Sequence, residues 1–132
     1  MPTSPVPVRV LLREIGAWLL RRRRVFAVVG SSMHPTLEPG DRVWALARPW
    51  TAVPIGCIVV VRSERAPHVL VKRLRSRTAT SFSVGSDNPM GALDSRQLGS
   101  FPPSALVGVV TLIWGPQGPR LAQPSRGWSP SR

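Results

Sequence analysis

Position 72 holds the only lysine of a 132-residue chain whose other seventeen cationic residues are all arginine. Arginine keeps its proton in a protein, whereas a buried lysine can give its proton up and act as a base. In a chain that otherwise uses arginine for every cation, the exception points to base chemistry. Forty residues earlier stands a partner for such a base, the turn Gly30-Ser31-Ser32-Met33-His34-Pro35-Thr36-Leu37. A serine hydroxyl becomes a nucleophile when a base takes its proton, and the anion it generates on a carbonyl needs nearby donors. Ser32 lies just past an apolar run and after Gly30, where the backbone can turn sharply and present both hydroxyl and amide. Taken alone, Gly-Ser-Ser is an ordinary turn sequence.

The elements that must position these two residues are strands. In His68-Val69-Leu70-Val71-Lys72-Arg73-Leu74-Arg75 the side chains alternate, so Leu70, Lys72 and Leu74 share one face. Val71, Arg73 and Arg75 take the other face, which the two arginines mark as the wetter one. Burial among leucines penalises the ammonium form and pulls the amine below the ordinary lysine range. Val25 to Val29 reads as a first strand, and further strands are expected at 42–47, 56–62, 68–75, 80–84 and 106–113. Glu38-Pro39-Gly40-Asp41 is a turn, and residues 85–104 form a long polar loop. Ahead of the strands, apolar residues at 8, 11, 12, 15, 18 and 19 have the spacing of one helix face, with Arg9, Arg13 and Gly16 opposite. That helix runs into Arg21-Arg22-Arg23-Arg24, a pattern that suits an anionic membrane surface and equally suits docking on the domain's own core. From Gly115 onward the glycine, proline, serine and arginine content predicts a disordered tail. The expected organisation is therefore a helix and basic run over 1–24, one domain over 25–114 and a tail over 115–132.

Composition narrows the function further. A net charge of +12 suits an anionic partner. No base-reading motif or stacking array accompanies it, so specific nucleic-acid recognition is not expected, and an arginine-rich binding module is the rival from outside enzymology. The single cysteine, Cys57, excludes an internal disulfide and a zinc cluster, and its apolar neighbours predict an inert thiol. With His34 and His68 as the only histidines, no metal site and no cofactor are expected. His34 is expected to face solvent. His68 would sit about 13 Å from Lys72 along the strand, at ~3.3 Å per residue, so a histidine base is the weaker rival. The apolar runs Leu11 to Leu20 and Ala105 to Trp114 fall short of the ~20 residues a bilayer requires. Charge follows the first apolar stretch instead of preceding it, unlike a signal peptide. A cytoplasmic or peripherally membrane-bound monomer is the expectation.

The complete set of segments is more telling than any one of them. Gly30-Ser31-Ser32-Met33-His34-Pro35-Thr36-Leu37 followed by Gly40-Asp41-Arg42-Val43, then Val71-Lys72-Arg73, then Asp87-Asn88-Pro89 and Asp94-Ser95-Arg96 with Gly99, resemble the signal peptidase I family of Ser/Lys peptidases, in family order. The resemblance implies that Ser32, directly before Met33, is the nucleophile and that Lys72 is the general base. It implies oxyanion or supporting roles for Gly30, Ser31 and Met33, and an ion pair between Asp94 and Arg96 that braces the loop beside the lysine. It also implies a mainly β fold, a small coiled antiparallel sheet of the signal peptidase and self-cleaving repressor type behind one amphipathic helix. The repressors carry an amino-terminal DNA-binding domain, for which the 24 residues ahead of the first strand leave no room.

Three positions depart from the family's pattern. Ala92 stands where relatives carry a serine that orients the lysine, Ser86 is inserted between Gly85 and Asp87, and Gly30 replaces an oxyanion-donating serine found in some relatives. The small size, the missing membrane anchor and the wording Ser-Asp-Asn-Pro with Asp-Ser-Arg-Gln-Leu-Gly are most similar to the nickel-type superoxide dismutase maturation proteases of bacteria. The activity this implies is a serine endopeptidase that removes an amino-terminal leader from a precursor bound as an extended segment. Conventional signal peptidase activity on exported proteins is the alternative.

Overall fold

A run of β-branched residues with no polar alternation has to be covered on both faces, and Ile58-Val59-Val60-Val61 is buried at every position. In the computed structural model, which describes residues 5–19, 23–66, 68–88 and 99–122, this run is an inner strand of an antiparallel sheet. The elements in chain order are helix α1 (Val8–Leu19) and strands β1 (Arg23–Ala27), β2 (Arg42–Leu46), β3 (Ile58–Val61), β4 (Leu70–Arg77), β5 (Phe82–Gly85), β6 (Leu106–Gly115) and β7 (Gly118–Leu121). Short 3-10 turns at Trp50–Ala52 and Pro103–Ala105 precede β3 and β6. The strand order is β1-β2-β6-β3-β4-β5, with β7 paired to β6. The protein is thus mainly β, with one helix among the described residues.

β6 is the organising strand. Val109 pairs with Leu46 of β2 on one edge and with Val59 of β3 on the other. Beyond the end of β3, Leu112 to Gly115 pair with β7. The two faces of the sheet carry separate cores. Val28, Met33, Leu37, Val43, Ile58, Val60, Val71 and Ile113 belong to one, and Val53, Val59, Val61, Leu74, Phe82, Val84, Phe101 and Val109 to the other. Odd and even residues of β3 and β4 divide between them as strand alternation requires.

One sequence-based expectation changes. Residues 115–122 are not tail: Pro116 and Gln117 form a tight turn and Gly118–Leu121 returns along β6. The glycines and prolines that read as disorder make a hairpin, and Pro119 is tolerated because β7 pairs on one side with β6. The disorder expected for 123–132 lies outside the described residues, as do Arg21 and Arg22 of the basic run. For the helix, the sequence left an anionic surface and docking on the core equally open. Among its described side chains, those of residues 8–15, Glu14 is the buried one, 2% exposed, and accepts a hydrogen bond from the Thr111 hydroxyl of β6, while Val8 and Leu12 are 70% and 63% exposed. Of the stripe's described side chains, Val8, Leu12 and Ile15 are exposed, and it is the carboxylate that bonds to β6. No described helix is long and apolar enough to cross a membrane.

The close approach of β6 to β2 depends on Gly108. A Cβ there would stand 2.9 Å from the Leu46 carbonyl oxygen and 3.1 Å from its carbon, backbone atoms that cannot rotate away. Gly108→Ala is expected to destabilise the fold by about 1–3 kcal/mol, as over-packing does. The check is a lower urea midpoint at an unchanged m-value.

Candidate active site

Lys72 sits in the middle of β4, 3% exposed, and its Nζ donates to the Ser86 hydroxyl at 3.0 Å. Leu70 and Leu74 pack with the same core, so the lysine occupies the apolar face that alternation assigns to it. The expectation for its neighbour is corrected. Arg73 does not point to a wet side; it too is 3% exposed. Its guanidinium grips Asp87 with both ends, Nε to Oδ1 at 2.8 Å and Nη2 to Oδ2 at 2.7 Å, and Nη1 donates to the Gly56 carbonyl at 2.7 Å. A charge can be buried this deeply when a carboxylate and a carbonyl take its hydrogens. Arginine at position 73 marked a buried fork and not a solvated edge.

The turn from Gly30 to Leu37 is built around its methionine. Met33 is 1% exposed and packs with Val28, Leu37 and Val71, so the side chain following Ser32 plugs the turn into the sheet. Gly30 adopts φ +79°, a conformation that strains any other residue, and this reversal leaves Ser31 exposed and Ser32 half-buried. His34 donates its amide to the Ser31 carbonyl at 3.1 Å, and Leu37 to that of Met33 at 2.9 Å. Among the described residues, nothing accepts from the amide of Ser32. That N–H is available to a ligand oxygen, the role expected of it at an oxyanion site.

One segment, Ser86-Asp87-Asn88, joins the turn to the lysine strand. Ser86 takes the Lys72 hydrogen bond. Asp87 holds Arg73 and also accepts from the Thr36 hydroxyl at 2.5 Å. Asn88 donates its amide to the Ser32 carbonyl at 2.8 Å and its side chain to the Ser31 carbonyl at 3.0 Å. Ser32 and Lys72 are thereby tied to positions two residues apart on the same backbone. Their side chains do not share a hydrogen bond among the described residues.

The far end of the turn is held from β7. Arg120 Nη2 donates to the Thr36 carbonyl at 2.8 Å and reaches Asp41 Oδ2 at 3.4 Å, and that same oxygen accepts from the Glu38 amide at 3.0 Å. Thr36, Asp41 and Arg120 were not singled out from the sequence, and for Arg120 the disorder reading of its segment hid the signal. His34 is exposed and hydrogen-bonded to Glu38, and His68 is exposed, so neither histidine lies beside Lys72. Burial raises the Cys57 thiol above its ordinary range, outweighing the pull of Arg73 and Arg48, and keeps it protonated and inert. Ala92, Asp94 and Arg96 lie outside the described residues. Compared with known proteins, the chain matches no family model and no curated protein.

Removing the Asp87 carboxylate leaves a buried guanidinium without its counter-ion. Asp87→Ala is expected to cost about 3–5 kcal/mol, against about 1 kcal/mol for Thr36→Val, which deletes one hydrogen bond. Urea unfolding of the two variants distinguishes them. A wild-type midpoint for Asp87→Ala would show that the pair does not brace the site.

Proposed function

We propose that the protein is a Ser/Lys endopeptidase of the signal peptidase type, with Ser32 as nucleophile and Lys72 as general base. The observation that carries the reading is the segment 86–88, which contacts the buried amine of the only lysine and the backbone of Ser32 within three residues. A lysine 3% exposed on an apolar face is disfavoured as an ammonium, the condition a neutral base needs. Lys72 takes the proton from the Ser32 hydroxyl as its oxygen bonds to a peptide carbonyl carbon. The carbonyl oxygen becomes an anion held by the Ser32 amide. Collapse of this intermediate breaks the C–N bond, and the Lys72 ammonium returns the proton to the leaving amine. Water then attacks the acyl-Ser32 ester, losing a proton to the same lysine; the ester C–O bond breaks as Lys72 passes that proton to the Ser32 oxygen, and the carboxylic acid product leaves with both residues restored.

The antiparallel sheet is compatible with the small coiled β fold of that family, and the proposed substrate is an amino-terminal leader bound as an extended strand. The chain's wording favours the leader of a nickel-type superoxide dismutase precursor, with exported proteins as the alternative substrate. Co-expression with such a precursor is expected to yield a shortened dismutase, detected by intact mass. Ser32→Ala and Lys72→Arg are each expected to reduce processing at least ~1,000-fold, in the range by which nucleophile–base pairs fail when one member is lost. Full activity in Lys72→Arg would rule out the lysine as base, and dependence on Ser31 instead of Ser32 would move the nucleophile by one residue.

A second property has its own observation. The exposed Val8, Leu12 and Ile15 of α1, beside the exposed Arg9 and Arg13 and ahead of four consecutive arginines, suit adsorption to an anionic lipid surface. Co-sedimentation with phosphatidylglycerol vesicles, and not with phosphatidylcholine vesicles, is the expected result. Leu12→Asp is expected to weaken it at least tenfold; equal sedimentation of that variant would exclude the helix as the contact.

A further inference from the structure

The register of β4 against β5 holds more information about Lys72 than its burial does. Arg73 pairs with Gly85 and Leu74 with Val84, so one further step of the same antiparallel register sets Ser86 opposite Lys72. Opposed residues in an antiparallel pair carry their side chains on the same face within contact distance. The 3.0 Å bond from Nζ to the Ser86 hydroxyl is the realisation of that register. A four-carbon side chain with free rotors is otherwise poorly fixed, and a base displaced by about 1 Å loses much of its effect.

We infer that Ser86 is a positioning residue of Lys72: it accepts one N–H of the amine and so constrains where the nitrogen's remaining valences point. The inference rests on the Ser32–Lys72 reading for its catalytic meaning, and the contact itself is testable without it. Two features make Ser86 suited to the task. It follows Gly85 directly at the end of β5, so the strand pairing places it. It precedes Asp87, whose clamp on Arg73 fixes the backbone one residue on. Among the described residues, the charged contacts of the neighbouring side chains do not involve the Ser86 hydroxyl. Arg73 and Asp87 remain paired with each other, and the Arg75 stem remains packed against Gly85.

The chain's composition supplies an unusually clean test. Because Lys72 is the only lysine, uniform labelling with lysine carrying 13C at Cε yields one lysine resonance that needs no assignment. A hydroxyl that accepts from the amine favours the ammonium form, so its removal disfavours that form. In Ser86→Ala the midpoint of the lysine titration is therefore expected to move to lower pH, by about one unit. Ser86→Thr, which keeps the hydroxyl on a residue favoured in strands, is expected to restore it. With the dismutase precursor as substrate, Ser86→Ala is expected to lower kcat about 10- to 100-fold with KM little changed. The pH profile should follow the lysine midpoint, and Ser86→Thr should recover most of the rate. An unmoved midpoint in Ser86→Ala overturns the inference, as does a loss of rate that Ser86→Thr fails to rescue. A midpoint that moves in a chain unable to process any precursor, with Ser32→Ala indistinguishable from wild type, keeps the contact and overturns both the peptidase reading and Ser86's catalytic meaning.

Discussion

The pairing of Arg73 with Asp87 is the constraint from which the rest of the site follows. A guanidinium that cannot lose its proton is buried in the sheet, so a carboxylate has to stand beside it with both oxygens engaged. That requirement fixes the backbone just after β5. Once Asp87 is fixed, its neighbours have no freedom either: Ser86 meets the lysine, Asn88 meets the serine turn, and Thr36 ties the turn to the same carboxylate. Three hydrogen-bonded contacts, each modest alone, become cooperative because one ion pair sets them all.

The pair also explains how two adjacent cations can be buried in one strand. Lys72 and Arg73 project from opposite faces of β4, so the sheet itself stands between them. The arginine's charge is balanced on its own side by Asp87, and the lysine donates on the other side to the Ser86 hydroxyl. A permanent cation with its partner braces the structure beside an amine whose chemistry, unlike a guanidinium's, allows it to lose a proton. Under the proposed peptidase reading, arginine elsewhere and lysine here divide labour between a side chain that keeps its proton and one that exchanges it.

Much of this was legible in the sequence because strand alternation is a hard geometric rule. It assigned Lys72 to the face of Leu70 and Leu74, and the Gly30-Ser-Ser-Met33 turn to a reversal after an apolar run. Strand ends moved by up to a few residues, the usual consequence of edges set by partners instead of by propensity. What the sequence concealed has a common cause. Arg73, Glu14 and Arg120 are charged residues whose environment depends on a partner distant in the chain, Asp87, Thr111 and Thr36 respectively. Polarity alone assigned the arginine to water, the glutamate to no role and the last residue to a tail. Ser86 read as an insertion in a motif because its value lies in a cross-strand register, which only the pairing of β4 and β5 reveals.

The place of β6 in the sheet has a consequence during synthesis. It is the strand between β2 and β3, and it is made after both of them. While residues 42–61 have left the ribosome and residues 106–115 have not, the inner edges of β2 and β3 carry unpaired backbone groups, and β3 carries four apolar side chains in a row. Long-range pairings of this kind close slowly, so the nascent chain spends that interval open to association with copies of itself. The arginines at 42, 48, 62 and 65 flank these two strands and repel like chains through that interval. Some of the chain's positive charge thus guards its own assembly before any partner is met.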